Sequence, residues 1–145
     1  MYMIDHLASL VIYNNGAIDR ILRHAVRDFG LRWSALRVLA DLSHAGPLTQ
    51  KELIEIEQLK QSTVSVLLQE MFDEKLIAFR KNPKDGRSRL VVITKKGRAV
   101  YHRCGECVRP VISQILSSLS TNEIKAVIDS ESAIERCINE YFLSG

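Results

Sequence analysis

The sequence predicts a mainly α-helical chain with one small β-hairpin. Three observations carry this. Apolar residues recur at helical spacing through most of the 145 residues. The run L-I-A-F-R-K-N-P-K-D-G-R-S-R-L-V-V-I-T-K-K-G, Leu76 to Gly97, holds two short β-type stretches, Ile77–Lys81 and Arg89–Thr94, and Asn82-Pro83 and Asp85-Gly86 supply turn chemistry between them. Two T-x-x-E or S-x-x-E boxes mark helix starts, at Thr49–Glu52 and Ser120–Glu123.

Each element follows in order. Ile4, Leu7, Val11, Ile18, Ile21, Leu22, Ala25 and Phe29 line one face of a first helix over Ile4–Phe29, interrupted at Asn14-Asn15-Gly16 and closed by Gly30. A second helix, Ser34–His44, is apolar around most of its circumference and should be packed on several sides; Ala45-Gly46-Pro47 ends it. The Thr49 box opens a third helix to Glu57, and a fourth spans Gln61–Glu74 with Val64, Leu67, Leu68 and Met71 on one side. After the hairpin, Thr94 opens a fifth helix whose stripe includes Val100, Cys104, Cys107, Val108, Val111 and Ile115. Pro110 should kink it. The Ser120 box starts a last helix through Ile124, Val127, Ile128, Ile134, Ile138 and Phe142.

Composition bounds the function. The chain has room for one domain with a real core, spanning 1–145. Its apolar runs are too short to span a bilayer and its first residues do not form a secretory signal, so a soluble protein of the cytoplasm, with no membrane partner, is expected. Three cysteines is an odd count that fits reduced thiols better than disulfides. The net charge of +3 is mild, but its distribution is not: Lys75–Arg103 holds ten Lys or Arg and one acid, Asp85. From Thr121 onward acids outnumber bases five to two. One region is built to meet polyanions. An enzyme is the weakest reading, because there is no phosphate loop, no G-x-S-x-G and no cluster of carboxylates with a defined base.

Two short helices joined by a tight turn match the helix-turn-helix arrangement, in which the second helix enters the DNA major groove. On the Gln61–Glu74 helix the face away from Val64, Leu67 and Met71 carries Ser62, Val66, Gln69 and Asp73, with Thr63 and Ser65 on the flanks. Gln61, Ser62, Thr63, Ser65 and Gln69 suit phosphate oxygens and base edges, and an outward Val66 suits a thymine methyl. Read alone, this is as readily an ordinary surface helix. A basic hairpin directly after it shifts the balance toward a winged helix-turn-helix, a compact DNA-reading unit.

The run from Leu31 to Gly97 resembles the MarR family of bacterial transcriptional regulators. The matching residues are L-R-W-S-A-L-R-V-L at Leu31–Leu39, G-P-L-T-Q-K-E-L at Gly46–Leu53, Q-S-T-V-S at Gln61–Ser65 and, most specific, D-G-R-S-R-L-V-V-I-T-K-K-G at Asp85–Gly97. The resemblance implies a DNA-binding lobe over 31–97 and dimerisation helices over 1–29 and 98–145. It also implies a homodimer on a pseudo-palindromic double-stranded DNA site, a repressor with no cofactor that is relieved by a small aromatic or phenolic effector. By position, Arg87 would insert into the minor groove and Asp85 would pair with an arginine to brace the wing tip, while Lys84 and Arg89 anchor to backbone. Arginine is favoured in narrow minor grooves on physical grounds as well, and Asp-Gly is equally a plain turn dipeptide. The sequence departs from the family pattern at four positions. Ile54 and Gln58 stand where Ala and Gly are frequent, Val66 where Arg is frequent, and Lys75 where Gly usually ends the helix.

Two further constellations invite a sensing role. Cys104-Gly105-Glu106-Cys107 is a C-x-x-C with His102 nearby, the basis of an alternative metal- or thiol-switched regulator. No second ligand pair exists, so packing of both cysteines on the apolar stripe is the better expectation and no metal is assigned. Cys137 lies on another apolar stripe. An effector cleft would draw on Arg23, Trp33 and Tyr101, with an arginine for a carboxylate and the indole for stacking, although Trp33 serves equally as core and Arg23 as a solvated surface residue. A winged helix used only for protein contacts is the remaining alternative, and the basic wing disfavours it.

Overall fold

The computed structural model describes residues 2–144, leaving aside the side chains of Tyr2 and Phe142, so the expected place of Phe142 on the last apolar stripe lies outside the described residues. The order is α1 (Tyr2–Ala25), α2 (Trp33–Ala45), β1 (Leu48–Thr49), α3 (Gln50–Glu57), α4 (Gln61–Asp73), β2 (Ile77–Lys81), β3 (Arg89–Ile93), α5 (Lys95–Ile115) and α6 (Thr121–Leu143). The chain gathers into two compact units, Met1–Arg109 and Pro110–Gly145.

In the first unit the core is the inner side of the helix-turn-helix. Val38 and Leu39 of α2, Leu53 of α3, and Val64 and Leu68 of α4 are almost fully buried. Leu76, Ile77 and Val91 close the core from the sheet. Burying several such side chains, at ~1.5–3 kcal/mol each, is what holds helices this short, which are marginal alone in water. Gly46 N–H donates to Leu42 O at 3.1 Å as α2 ends. Both halves of the Thr49 box form: Glu52 N–H donates to Thr49 Oγ1 at 3.2 Å and Thr49 N–H to Glu52 Oε2 at 2.7 Å.

The sheet has three strands in the order β1-β3-β2, all antiparallel, where the sequence showed two. β1 is too short to display alternation, and only its pairing, Leu48 opposite Val91, reveals it. α1 stops at Ala25, short of the expected Phe29. The chain turns there through Arg27 N–H to His24 O and Phe29 N–H to Val26 O, which brings Phe29 and Leu31 onto the core. α1 runs through Gly16 and α5 through Pro110 without a break in helical assignment.

α4 ends in a Schellman motif. Leu76 N–H donates to Met71 O and Lys75 N–H to Phe72 O, each at 2.9 Å. The residue this forces to a left-handed conformation is Lys75, φ 63°; Gln58, ending α3, is the other non-glycine there, φ 55°. In the second unit the Ser120 box is complete, with Ser120 N–H donating to Glu123 Oε2 at 2.7 Å.

Candidate nucleic-acid interface

α4 presents the face its pattern predicts. Val64, Leu67, Leu68 and Met71 are buried, and Gln61, Ser62, Thr63, Ser65, Val66 and Gln69 are exposed. Val66 stands 56% exposed among these uncharged polar groups. Two contacts order the face. Gln50 Nε2 of α3 donates to Ser65 Oγ at 2.6 Å, and Gln69 Nε2 to Asp73 Oδ1 at 2.9 Å.

The wing is stiffened by side-chain mimics of turn hydrogen bonds. Asn82 Oδ1 accepts from Lys84 N–H at 3.0 Å, and Asn82 Nδ2 donates to Ser88 Oγ at 2.9 Å, closing the loop at its base. Asp85 Oδ1 accepts from Arg87 N–H at 3.0 Å, and its carbonyl from Ser88 N–H at 3.2 Å. Asp85 therefore holds the tip through the Arg87 amide; no ion pair joins it to an arginine among the described residues, which corrects the expected guanidinium partner. Asp85 and Arg87 are both exposed, and an exposed ion pair contributes little against the entropy of holding a long side chain still. Pro83 to Arg87 are all exposed. Arg89 lies with its guanidinium carbon 4.2 Å from the centre of the Phe79 ring, a cation–π contact that fixes its direction.

The start of α3, Gln61 of α4 and the wing line one cleft of about 550 Å³; Ser62, Thr63, Ser65, Val66 and Gln69 do not line it. Gln61, Asp85, Arg87 and Arg89 line it, while Lys84 is exposed at the tip and does not. Gln50, Lys51, Asn82 and Ser88 also line it and were not singled out from sequence. Their one signal was position, in the polar first turn of α3 and at the ends of the wing loop.

A second concavity, about 260 Å³, lies wholly within the first unit among α1, α2 and α5. Trp33 and Tyr101 line it as expected, with Leu22, Val108 and Arg109. Arg23 does not: it sits over Trp33 at 5.9 Å and pairs with Asp19 at 3.1 Å. Arg37, one turn along from Trp33, also lines the concavity, a cation that the sequence reading missed. Arg37 Nε lies 3.1 Å from Glu57 Oε2, and its Nη1 lies 3.7 Å from Asp19 Oδ1. Glu57 is buried, and burial raises its carboxyl to about 7, helped by a hydrogen bond with Asp41 and opposed by Arg37.

Cys104 is buried, but Cys107 is exposed, contrary to the expected packing of both, because the helix turns the second thiol off the inward stripe; Cys137 is exposed too. Burial pushes the Cys104 thiol up, and Cys107 adds to it, the opposite of what a reactive thiolate needs. Among the described residues no three His, Cys, Asp or Glu side chains converge as a metal site, so Cys104, Cys107 and His102 do not form one. No helix among the described residues is long and apolar enough to cross a membrane.

Residues 31–88 match the sequence model of the MarR family. The chain is 27% identical over 90 residues to the HTH-type transcriptional repressor NicR of Pseudomonas putida, an alignment covering 62% of this chain and 57% of NicR. It is 24% identical over 110 residues to the HTH-type transcriptional regulator YdgJ of Bacillus subtilis, covering 76% of this chain and 67% of that one. The chain thus spans little more than half the length of NicR. Among solved structures it resembles apo MarR from E. coli, with TM-score 0.71, 20% identity and coverage of 88% of this chain and 95% of that one. It also resembles a mutant MarR complexed with operator DNA, with TM-score 0.65, 20% identity and coverage of 91% and 95%. A third is Bordetella bronchiseptica BpsR, whose DNA binding is regulated by 6-hydroxynicotinic acid, with TM-score 0.63, 20% identity and coverage of 88% and 91%. These structural likenesses establish the shared fold. The family match over residues 31–88 falls on the helix pair and wing that the structure brings together, and the chain shares the winged helix-turn-helix fold of these solved structures.

Proposed function

We propose that this chain is a MarR-family transcriptional regulator that acts in the cytoplasm as a homodimeric repressor on a pseudo-palindromic DNA site and is released by a small aromatic acid. One observation carries the DNA reading: α4 exposes an uncharged polar face, and its first residue, Gln61, shares a cleft with Asp85, Arg87 and Arg89 of the basic wing. α4 enters the major groove, where Gln61, Ser62, Thr63, Ser65 and Gln69 meet base edges and phosphates and Val66 meets a thymine methyl. Arg87 enters the adjacent minor groove, Asp85 holds the tip that carries it, and Lys84 and Arg89 meet phosphates.

The dimer reading rests on apolar side chains that water would not otherwise favour on a surface. Ile4, Leu7 and Leu10 of α1, and Val127, Ile128 and Ile138 of α6, are all exposed. The effector reading rests on the Trp33, Tyr101 and Arg37 concavity, whose volume of about 260 Å³ suits a one-ring acid better than a larger ligand. Relatives support both roles, since MarR is solved on operator DNA and BpsR responds to 6-hydroxynicotinic acid. The test is fluorescence anisotropy on genomic duplex fragments across a salt series. A specific fragment bound by two chains with a steep salt slope is expected. Equal, weak binding to every fragment would refute sequence-specific regulation.

A further inference from the structure

Arg37 serves two sites at once. It lines the apolar concavity beside Trp33, and its Nε lies 3.1 Å from Oε2 of buried Glu57 at the end of α3. The Glu57 side chain is only 3% exposed. Its Oε1 and Asp41 Oδ2 are both buried with no donor reaching them. Two carboxyl groups in hydrogen-bonding contact need a proton between them, and a proton on Glu57 satisfies both orphan oxygens. The charged groups acting on Glu57 are Arg37 and Asp41, both from α2, and Asp19 of α1 stands on the far side of Arg37.

We infer that an anion bound in this concavity is coupled to proton uptake at Glu57, with Arg37 the cation that the two sites share. A carboxylate that draws the guanidinium into the concavity takes it from Glu57. The buried carboxylate then has no counter-ion, so it takes a proton from solvent. The same movement loosens the tie between α2 and α3, the first helix of the DNA-binding pair. The inference rests on the concavity being the effector site.

The sign of the coupling follows. Where Glu57 is already protonated, Arg37 is free to meet the anion; where Glu57 is ionised, the anion must compete for it. Anion affinity therefore falls as pH rises through about 7, by up to tenfold per unit in the limit of one proton. His102 and Arg109 also line the concavity, so the imidazole needs its own control.

Calorimetry with benzoate, an aromatic acid that stays ionised throughout, on the full chain at pH 6 to 8 tests this. Repeating it in two buffers of different protonation enthalpy counts protons. The wild type should lose affinity with pH and take up as much as one proton per benzoate. Glu57→Gln should bind with no pH slope, Asp41→Asn should shift the midpoint downward, and His102→Gln should keep the slope. A flat wild-type profile, or a slope that survives in Glu57→Gln, overturns the coupling while leaving the effector site standing. Absence of benzoate binding at every pH, in wild type and variants alike, overturns the effector reading and the coupling with it.

Discussion

Gly97 stands in the first turn of α5, where two opposite forces can be weighed. Alanine is the better helix former by ~1 kcal/mol, so propensity alone predicts that Gly97→Ala stabilises. Position predicts the reverse. A Cβ there would lie 2.1 Å from the Leu76 carbonyl oxygen and 3.0 Å from Ile93 Cγ1. The carbonyl is not free to move, because Leu76 O also accepts from Thr94 N–H at 3.1 Å and Thr94 Oγ1 at 3.0 Å, and Leu76 is buried. To reach ordinary contact, α5 must back away from the sheet by about 1 Å or more, losing both bonds at ~1 kcal/mol each and adding ~1–3 kcal/mol of packing strain. Net of the propensity gain, the variant should be ~2–4 kcal/mol less stable in urea unfolding, with the slope of the transition unchanged. Gly105→Ala in the same helix is the control. Nothing lies within 4 Å of the added methyl, so it should be neutral or stabilising. A Gly97→Ala protein as stable as wild type would refute the reasoning, since it would mean that the joint between wing and long helix is soft.

Four further outcomes can be measured. Arg87→Ala should weaken duplex binding by ~1–3 kcal/mol while leaving thermal stability within ~0.5 kcal/mol, and unchanged affinity would remove the wing from the interface. Lys75→Gly should stabilise by ~0.5–1 kcal/mol in chemical denaturation by relieving the left-handed residue of the Schellman motif, and a loss would show that the lysine side chain matters more than its backbone. Glu57, raised from 4.5 to about 7 by folding, contributes stability that is fully present below pH 4.5 and lost as pH rises through 7. That span is worth roughly 3 kcal/mol at most, and the urea midpoint of Glu57→Gln should gain on wild type across this window; parallel curves would refute it. Replacing operator thymines one at a time with uracil should cost affinity at the position under Val66 and not in Val66→Ala, and equal affinity for every uracil site would discard the methyl contact.

What the sequence made legible follows from how local each signal is. The capping boxes at Thr49 and Ser120 are closed within four residues, so they could be read and they form. The wing strands announce themselves by β-branched runs and turn dipeptides, and the pairing of Ile77 with Ile93 and of Lys81 with Arg89 matches them. β1 was illegible because two residues carry no period, and its strand character is conferred by Val91 and Leu90 of a distant segment. Glu57 was illegible for a different reason. It sits in the run E-I-E-Q, which looks solvated, and only the folded placement of Arg37 and Asp41 makes burial tolerable. The α4 face was legible because helical period sorts it, whereas the contributions of Gln50 and Asn82 depend on contacts across 15 and 6 residues.

The departures at Gln58 and Lys75 show how far the core dictates the backbone around α4. Both positions take the left-handed backbone that glycine enters freely, yet neither is glycine. Each therefore costs on the order of 1 kcal/mol of local strain. The packing on either side outweighs it. Leu53 and Val64 are almost fully buried around Gln58, and Met71 and Leu76 around Lys75. Local bonds offset the remainder, with Gln58 Nε2 donating to Glu55 O at 2.6 Å and the two Schellman bonds closing α4. The turn is thus dictated by the core on both sides of it, and α4 keeps its place without a glycine at either end. Val66 differs in kind: it is exposed and no core contact constrains its identity. A substitution there changes what the exposed face of α4 presents without changing where the helix lies, so under the proposed function Val66→Ala should alter base preference while leaving stability within ~0.5 kcal/mol.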